Sequence, residues 1–176
     1  MSERSLSHAW LSSWVGKASD VLNAMTEEFE RRHGFPPGTN QVRSANHDDQ
    51  EAARALVQVD VAAGDLVAFY ESVGEVTWED VGNGYFVDSV SKVLQRLTEY
   101  GSVRIGANQE HCGLVVGSNG AGLLYVADQD GAVYRTRTAS LDSTEVDRVA
   151  DGLREFLELL ERSLTRFVAT GEPGYL

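Results

Sequence analysis

Any chemistry this chain performs has to come from a few side chains, and spacing tests each candidate. Asp128, Asp130 and Gly131 have the residue types that open a calcium loop, but an EF-hand places its glycine sixth, which would put a ligand position at Val126. An Asp-Gly step between two β-rich runs is instead a hairpin signal, because both turn positions tolerate positive φ. Gly117, Gly120 and Gly122 lie between two strand-like runs. A dinucleotide site needs its glycines between a strand and a helix, and a P-loop needs a following Lys, so no phosphate cradle is expected. The histidines His8, His33, His47 and His111 are scattered without the i, i+4 spacing of helical metal pairs. His111 adjoins the single cysteine, Cys112. Neighbours on a strand face opposite sides, so no nucleophile and base are expected there, and Cys112 reads as a small buried hydrophobe. These tests assign no catalytic residue, no metal and no cofactor.

A positive signal comes from residues 75–86, where Trp78, Tyr85 and Phe86 stand among Glu75, Glu79 and Asp80, with two glycines around Asn83. Aromatic anchors ringed by acidic groups suit recognition of a basic protein. The candidate protein-binding residues are Glu75, Trp78, Glu79, Asp80, Asn83 and Tyr85, with Asp128 and Asp130 of the acidic turn. Two readings stay open for this segment: an exposed anchor loop, or aromatics that fill the core while the acids solvate the surface.

The elements that must position these residues follow from period and punctuation. Leu11, Trp14, Val15, Ala18, Val21, Leu22, Met25 and Phe29 recur at three and four, which predicts a first helix stopped by Gly34 and Pro36-Pro37-Gly38. The polar stretch to about Asn46 reads as a loop. Asp48 or Asp49 can cap a short helix through Leu56, while Val57, Val59 and Val61 alternate as a strand would, and that boundary stays open. Asp65 as N-cap and Gly74 as stop bracket a helix with Leu66, Phe69 and Tyr70, and Ser89 and Gly101 bracket another with Val93 and Leu97. Three β-like runs at 113–116, 123–127 and 132–137, preceded by a shorter one at 103–105, are joined by short turns and predict an antiparallel meander. Asp142 with Glu145 reads as a capping box for a last helix carrying Val146, Val149, Leu153, Phe156, Leu160, Leu164 and Phe167.

The chain of 176 residues is long enough for one domain with a sizeable core, and one cysteine permits no internal disulfide. A reducing cytoplasm is the expected setting, since the opening segment has no apolar core of a signal peptide and no run of 18 apolar residues occurs. With 27 Asp and Glu against 15 Lys and Arg, the net charge is -12. Phosphate backbones repel such a chain, so nucleic acid is disfavoured as a ligand and a basic protein is favoured.

The order of motifs resembles the SUKH superfamily. The residues that carry the resemblance are Asp65-Leu66-x-x-Phe69-Tyr70, Asn83-Gly84-Tyr85-Phe86, the run from Gly117 through Gly120 and Gly122 to Leu123-Leu124-Tyr125, and Asp130-Gly131-Ala132-Val133-Tyr134-Arg135, over about residues 64–160. Gly64-Asp65 stands where many members have Leu-Pro, and the first 46 residues have no counterpart. These positions mark architecture and no active site. The resemblance implies an α+β fold, an antiparallel meander sheet flanked by N-terminal and C-terminal helices and used as a binding scaffold. Here that means a single domain over 1–176, with 1–46 as an extension and 64–170 as the core. It further implies a non-catalytic immunity protein that neutralises a cognate bacterial toxin of nuclease or deaminase type. The alternatives are a regulatory interaction module without a toxin and, lower, a small hydrolase or ligand-binding enzyme.

Overall fold

The computed structural model describes residues 5–142 and 145–176. Ser7 opens the first helix, α1 (His8–His33), by accepting the Trp10 N–H at 3.1 Å, and Gly34 closes it in the left-handed region. Its buried face is the one the period predicts, with Leu11, Trp14, Ala18, Leu22 and Phe29 turned inward. The stretch read as a loop contains β1 (Asn40–Ser44). Asn-Gln-Val-Arg-Ser has one apolar residue and no strand signature of its own; its ladder is supplied by the partner strand described below.

Asn46, and not Asp48 or Asp49, is the N-cap of α2 (His47–Leu56). Asp49 is the third residue of the helix, and the two side chains satisfy each other's backbone N–H at 2.9 Å in a reciprocal capping box. Val57, Val59 and Val61 do not form a strand. They follow the helix in turns, with the Val59 N–H donating to the Leu56 carbonyl at 3.0 Å. Helix α3 (Gly64–Ser72) has Ala63 as N-cap, so Asp65 sits inside the first turn, where it accepts the Leu6 N–H at 3.3 Å. Gly74 does not stop that helix. The chain passes directly into β2 (Val73–Trp78), and the missing side chain at Gly74 makes room for the Arg43 guanidinium lying over the strand.

The acidic and aromatic stretch is a hairpin, since β3 (Tyr85–Val87) pairs antiparallel with β2. Helix α4 (Val90–Tyr100), capped by Ser89 and ended at Gly101 as expected, leads to β4 (Val103–Ile105). The meander follows as β5 (His111–Asn119), β6 (Leu124–Asp128) and β7 (Val133–Thr136), each antiparallel to the next. At the β5–β6 turn, Gly120 lies so close to the Asn83 carbonyl that a Cβ there would overlap it.

The last helix begins later than the Asp142 and Glu145 box implies. Val146 opens a strand, β8 (Val146–Ala150), that pairs with β7, and α5 (Leu153–Thr170) starts after Gly152. Val146 and Val149 fit either period, and the open ladder of β7 decides in favour of the strand. Residues 143 and 144, inside the expected box, lie outside the described residues.

The sheet runs β1-β2-β3-β5-β6-β7-β8 with β4 also on β5, and every pairing is antiparallel. Helices at both ends of the sequence pack onto it, which is the expected α+β meander architecture. On β5, Leu114 and Val116 belong to the main core while Val115 belongs to a smaller cluster with Ile105, Val126, Ala132 and Tyr134, so the two faces of the sheet are separated residue by residue. The main core joins Trp14 of α1 to Phe156, Leu157 and Leu160 of α5, and Trp14 Nε1–H donates to the Leu157 carbonyl at 2.9 Å. Helix α1 and strand β1 are therefore built into the same core and the same sheet as the rest of the chain. No described helix is long and apolar enough to cross a membrane.

Candidate functional site

Of the two readings open for residues 75–86, the structure supports the core reading for the aromatics. Trp78 is 0% exposed and stacks on Trp14 with ring centroids 6.3 Å apart. Tyr85 is 2% exposed, and its hydroxyl accepts the Gly174 N–H at 3.1 Å. Neither can anchor a partner. The acids of the segment are engaged in the fold as well. Glu79 accepts the Thr39 N–H at 2.8 Å, and Asp80 accepts from the Gly38 N–H and Asn40 Nδ2, both at 2.7 Å. Together they fasten the entry of β1 to the end of β2. Glu75 lies 3.8 Å from Arg43 Nε, and Asn83 is exposed in the β2–β3 turn.

The hairpin reading of Asp128 and Asp130 stands. Asp128 is 2% exposed and uses one carboxylate oxygen to accept the Asp130 and Ala132 N–H groups, at 3.0 and 2.9 Å. Its other oxygen lies 3.4 Å from His111 Nδ1, and the imidazole packs beside the Tyr134 ring. Cys112 points elsewhere, 3.4 Å from Ser102 Oγ, so the pair is divided between partners as alternation requires. The thiol is half-buried at the end of β5 and is not the core hydrophobe expected of it.

One expected residue does reach a concave surface. Asp130 lines a cleft of about 890 Å³ where three separate segments meet. These are the first turn of α3 with Asp65, the β6–β7 turn with Asp130 and Gly131, and the start of α5 with Asp151, Glu155 and Glu158. Five carboxylates line it against one guanidinium, that of Arg154. That cation is already committed, 3.2 Å from Glu158 and stacked over the Trp10 ring at 5.0 Å. The acids are spread along the cleft and do not converge. Among the described residues the only triple whose ligand atoms gather within 4.8 Å is His47, Asp48 and Glu51. That group is exposed on the first turns of α2, where the positive end of the helix dipole opposes a cation. A dispersed acidic cleft steers and holds distributed positive charge, as on the basic surface of a protein.

Asp65 and Asp130 were visible in the sequence, one read as a cap and one as a turn residue. Asp151, Glu155 and Glu158 were not singled out, and the only signal for them is that 155 and 158 share the polar side of the last helix. Nothing in the sequence places the three segments side by side. Comparison with protein-family models finds no match for this chain, and comparison with curated proteins finds none either.

Proposed function

We propose that this chain is a non-catalytic protein-binding domain, an immunity protein that captures a basic toxin domain of nuclease or deaminase type in the acidic cleft between α3, the β6–β7 turn and α5. The observation that carries the reading is the cleft itself, five carboxylates to one engaged guanidinium, on a chain of net charge -12. The resemblance of its motifs to the SUKH superfamily supports it, as does the antiparallel sheet flanked by helices that such a scaffold uses. An acidic inhibitor occupies the groove that a nuclease reserves for phosphates, and its charge accelerates encounter.

The test begins with the partner, captured from the native cell by cross-linking and then purified. Asp130 and Asp151 are both exposed, and the ion pair that Asp151 would lose, with Arg148 at 3.0 Å, is a surface contact, so the double variant Asp130→Lys, Asp151→Lys should keep the fold. It should slow association about tenfold or more at low salt and flatten the dependence of the rate on ionic strength. A partner of acidic or neutral surface, or a double variant that associates at the normal rate, would refute the proposal.

A further inference from the structure

A second concave surface has the opposite character. On one edge of β5, β3 covers residues 117–119 and β4 covers residues 111–113, which leaves 114–116 with no strand beside them on that edge. Helix α4 bridges the gap. The space left between α4, β4 and β5 is an apolar groove of about 440 Å³, walled by Val93, Leu97, Tyr100, Val103 and Leu114. Leu141 adds a lip, and it and Tyr100 are two of the few large apolar side chains that the fold leaves exposed, at 39% and 79%. A volume of this size falls in the usual range for small-molecule sites.

Its charge is inverted relative to the whole molecule. The two charged residues that line it are Arg96 and Arg104, and no carboxylate does. Arg96 is held in the gap by donating to Asp88 at 3.2 Å and to the Val115 carbonyl at 3.4 Å. Asp88 is shared with Lys92, whose Nζ lies 2.9 Å away, so one buried carboxylate faces two cations. Arg104 is exposed and has no ion pair among the described residues, and Glu99, the nearest acid along the helix, bonds to Gln95 outside the groove lining. Arg104 lies opposite Cys112 in the register, on the other side of the strand from Val103 and Ile105, which sit in the smaller cluster. An apolar wall beside an excess of cations, on a chain of net charge -12, selects for a ligand with a greasy body and a negative end.

We propose that this groove binds a small amphipathic organic anion, a single alkyl or aryl chain of roughly ten heavy atoms ending in a carboxylate. The chain lies between Leu97, Tyr100 and Leu114, and the carboxylate takes the guanidinium of Arg104. The groove shares no lining residue with the acidic cleft, so this inference stands or falls apart from the proposed function.

Three probes of equal chain length separate the contributions: octanoate, 1-octanol and octylammonium, titrated into the full chain and followed by amide chemical shifts. Octanoate should give saturable shifts at Leu97, Tyr100, Val103 and Leu114 with Kd of about 1 mM or tighter, as a ligand of this size allows. Octanol should bind about tenfold more weakly at the same amides, because it lacks the charge-assisted bond. Arg104→Gln should raise the octanoate Kd about tenfold and leave octanol unchanged, and Tyr100→Ser, at an exposed position, should weaken both. Octylammonium binding as tightly as octanoate would overturn the proposal, because the acidic field of the molecule would then dominate the groove. Absence of saturable shifts up to about 10 mM octanoate, shifts centred on other residues, or an Arg104→Gln variant that binds octanoate normally would overturn it too. So would an acidic peptide that shifts the groove amides when octanoate does not, since the groove would then belong to a polypeptide.

Discussion

Trp78 and Trp14 show what a single residue contributes here, because they are stacked on each other, fully buried and differently bonded. Trp14 Nε1–H reaches the Leu157 carbonyl, whereas Trp78 Nε1–H has no partner among the described residues. A buried donor without an acceptor is a standing cost, and its removal returns part of what the lost ring volume takes away. Trp78→Ala should therefore cost about 3–5 kcal/mol of folding stability, as loss of a core indole does. Trp78→Phe should cost less than Trp14→Phe by about 1 kcal/mol, the net worth of the bond that only Trp14 makes. Urea denaturation of the three variants measures this. Equal costs for the two phenylalanine variants would mean that the Trp78 N–H is satisfied. The residue types of segment 75–86 were plain in the sequence, yet their roles were not. Aromatics among acids look the same whether the ring turns into a core or out toward a partner, and here the pairing of β2 between β1 and β3 turns Trp78 inward.

At the scale of elements, the strands and helices with their own local signals were legible. The first helix, the Ser89 cap, the Gly101 stop and the three-strand meander all carry period or punctuation strong enough to survive tertiary context. Strands β1 and β8 were not legible, because Asn-Gln-Val-Arg-Ser and Val-Asp-Arg-Val-Ala become strands only when a neighbour offers a ladder. The junction of β1 with α2 makes that dependence measurable. Asp49 is 6% exposed, closes the α2 capping box and meets Arg43 of β1 at 2.6 Å. The Arg43 guanidinium, helped by the Asn46 backbone, holds the Asp49 carboxyl below its ordinary value against the opposing effect of burial. A depressed folded pKa means that the unfolded chain takes up the proton first. The stabilisation is complete above the ordinary carboxylate value and is lost as pH falls below it toward the folded value. Asp49→Asn should lower stability by about 1–2 kcal/mol at pH 7 through loss of the charged cap and ion pair. It should also lose less stability than wild type between about pH 4.5 and pH 3. If the two proteins fall in parallel across that range, Asp49 is not the group being titrated.

For the whole molecule, the α+β class and the acidic balance were evident from the chain alone, while the cleft was not. Its carboxylates come from residues 65 to 158 and meet only after the sheet has closed the distance. The same excess of acid acts on the fold itself. A net charge of -12 repels itself at long range, whereas the ion pairs that offset it are local and mostly exposed. Arg31 with Glu28 has side chains 77% and 46% exposed, and Arg148 with Asp151 has 54% and 72%. Exposed pairs of this kind contribute about 0–1 kcal/mol each and are already weakened by solvent. Raising sodium chloride from about 0.01 M to about 0.3 M shortens the Debye length from about 30 Å to under about 8 Å. That removes the long-range repulsion more completely than it removes contacts near 3 Å. Repulsion is the larger quantity on a chain with so few cations, so Tm at pH 7 should rise with salt by about 2–4 °C, the shift that about 1 kcal/mol produces in a domain of this size. Repeating the measurement with potassium chloride separates screening from a specific ion effect. A Tm that falls over the same range would show that the local pairs outweigh the global field, and that the acids are better compensated than their number implies.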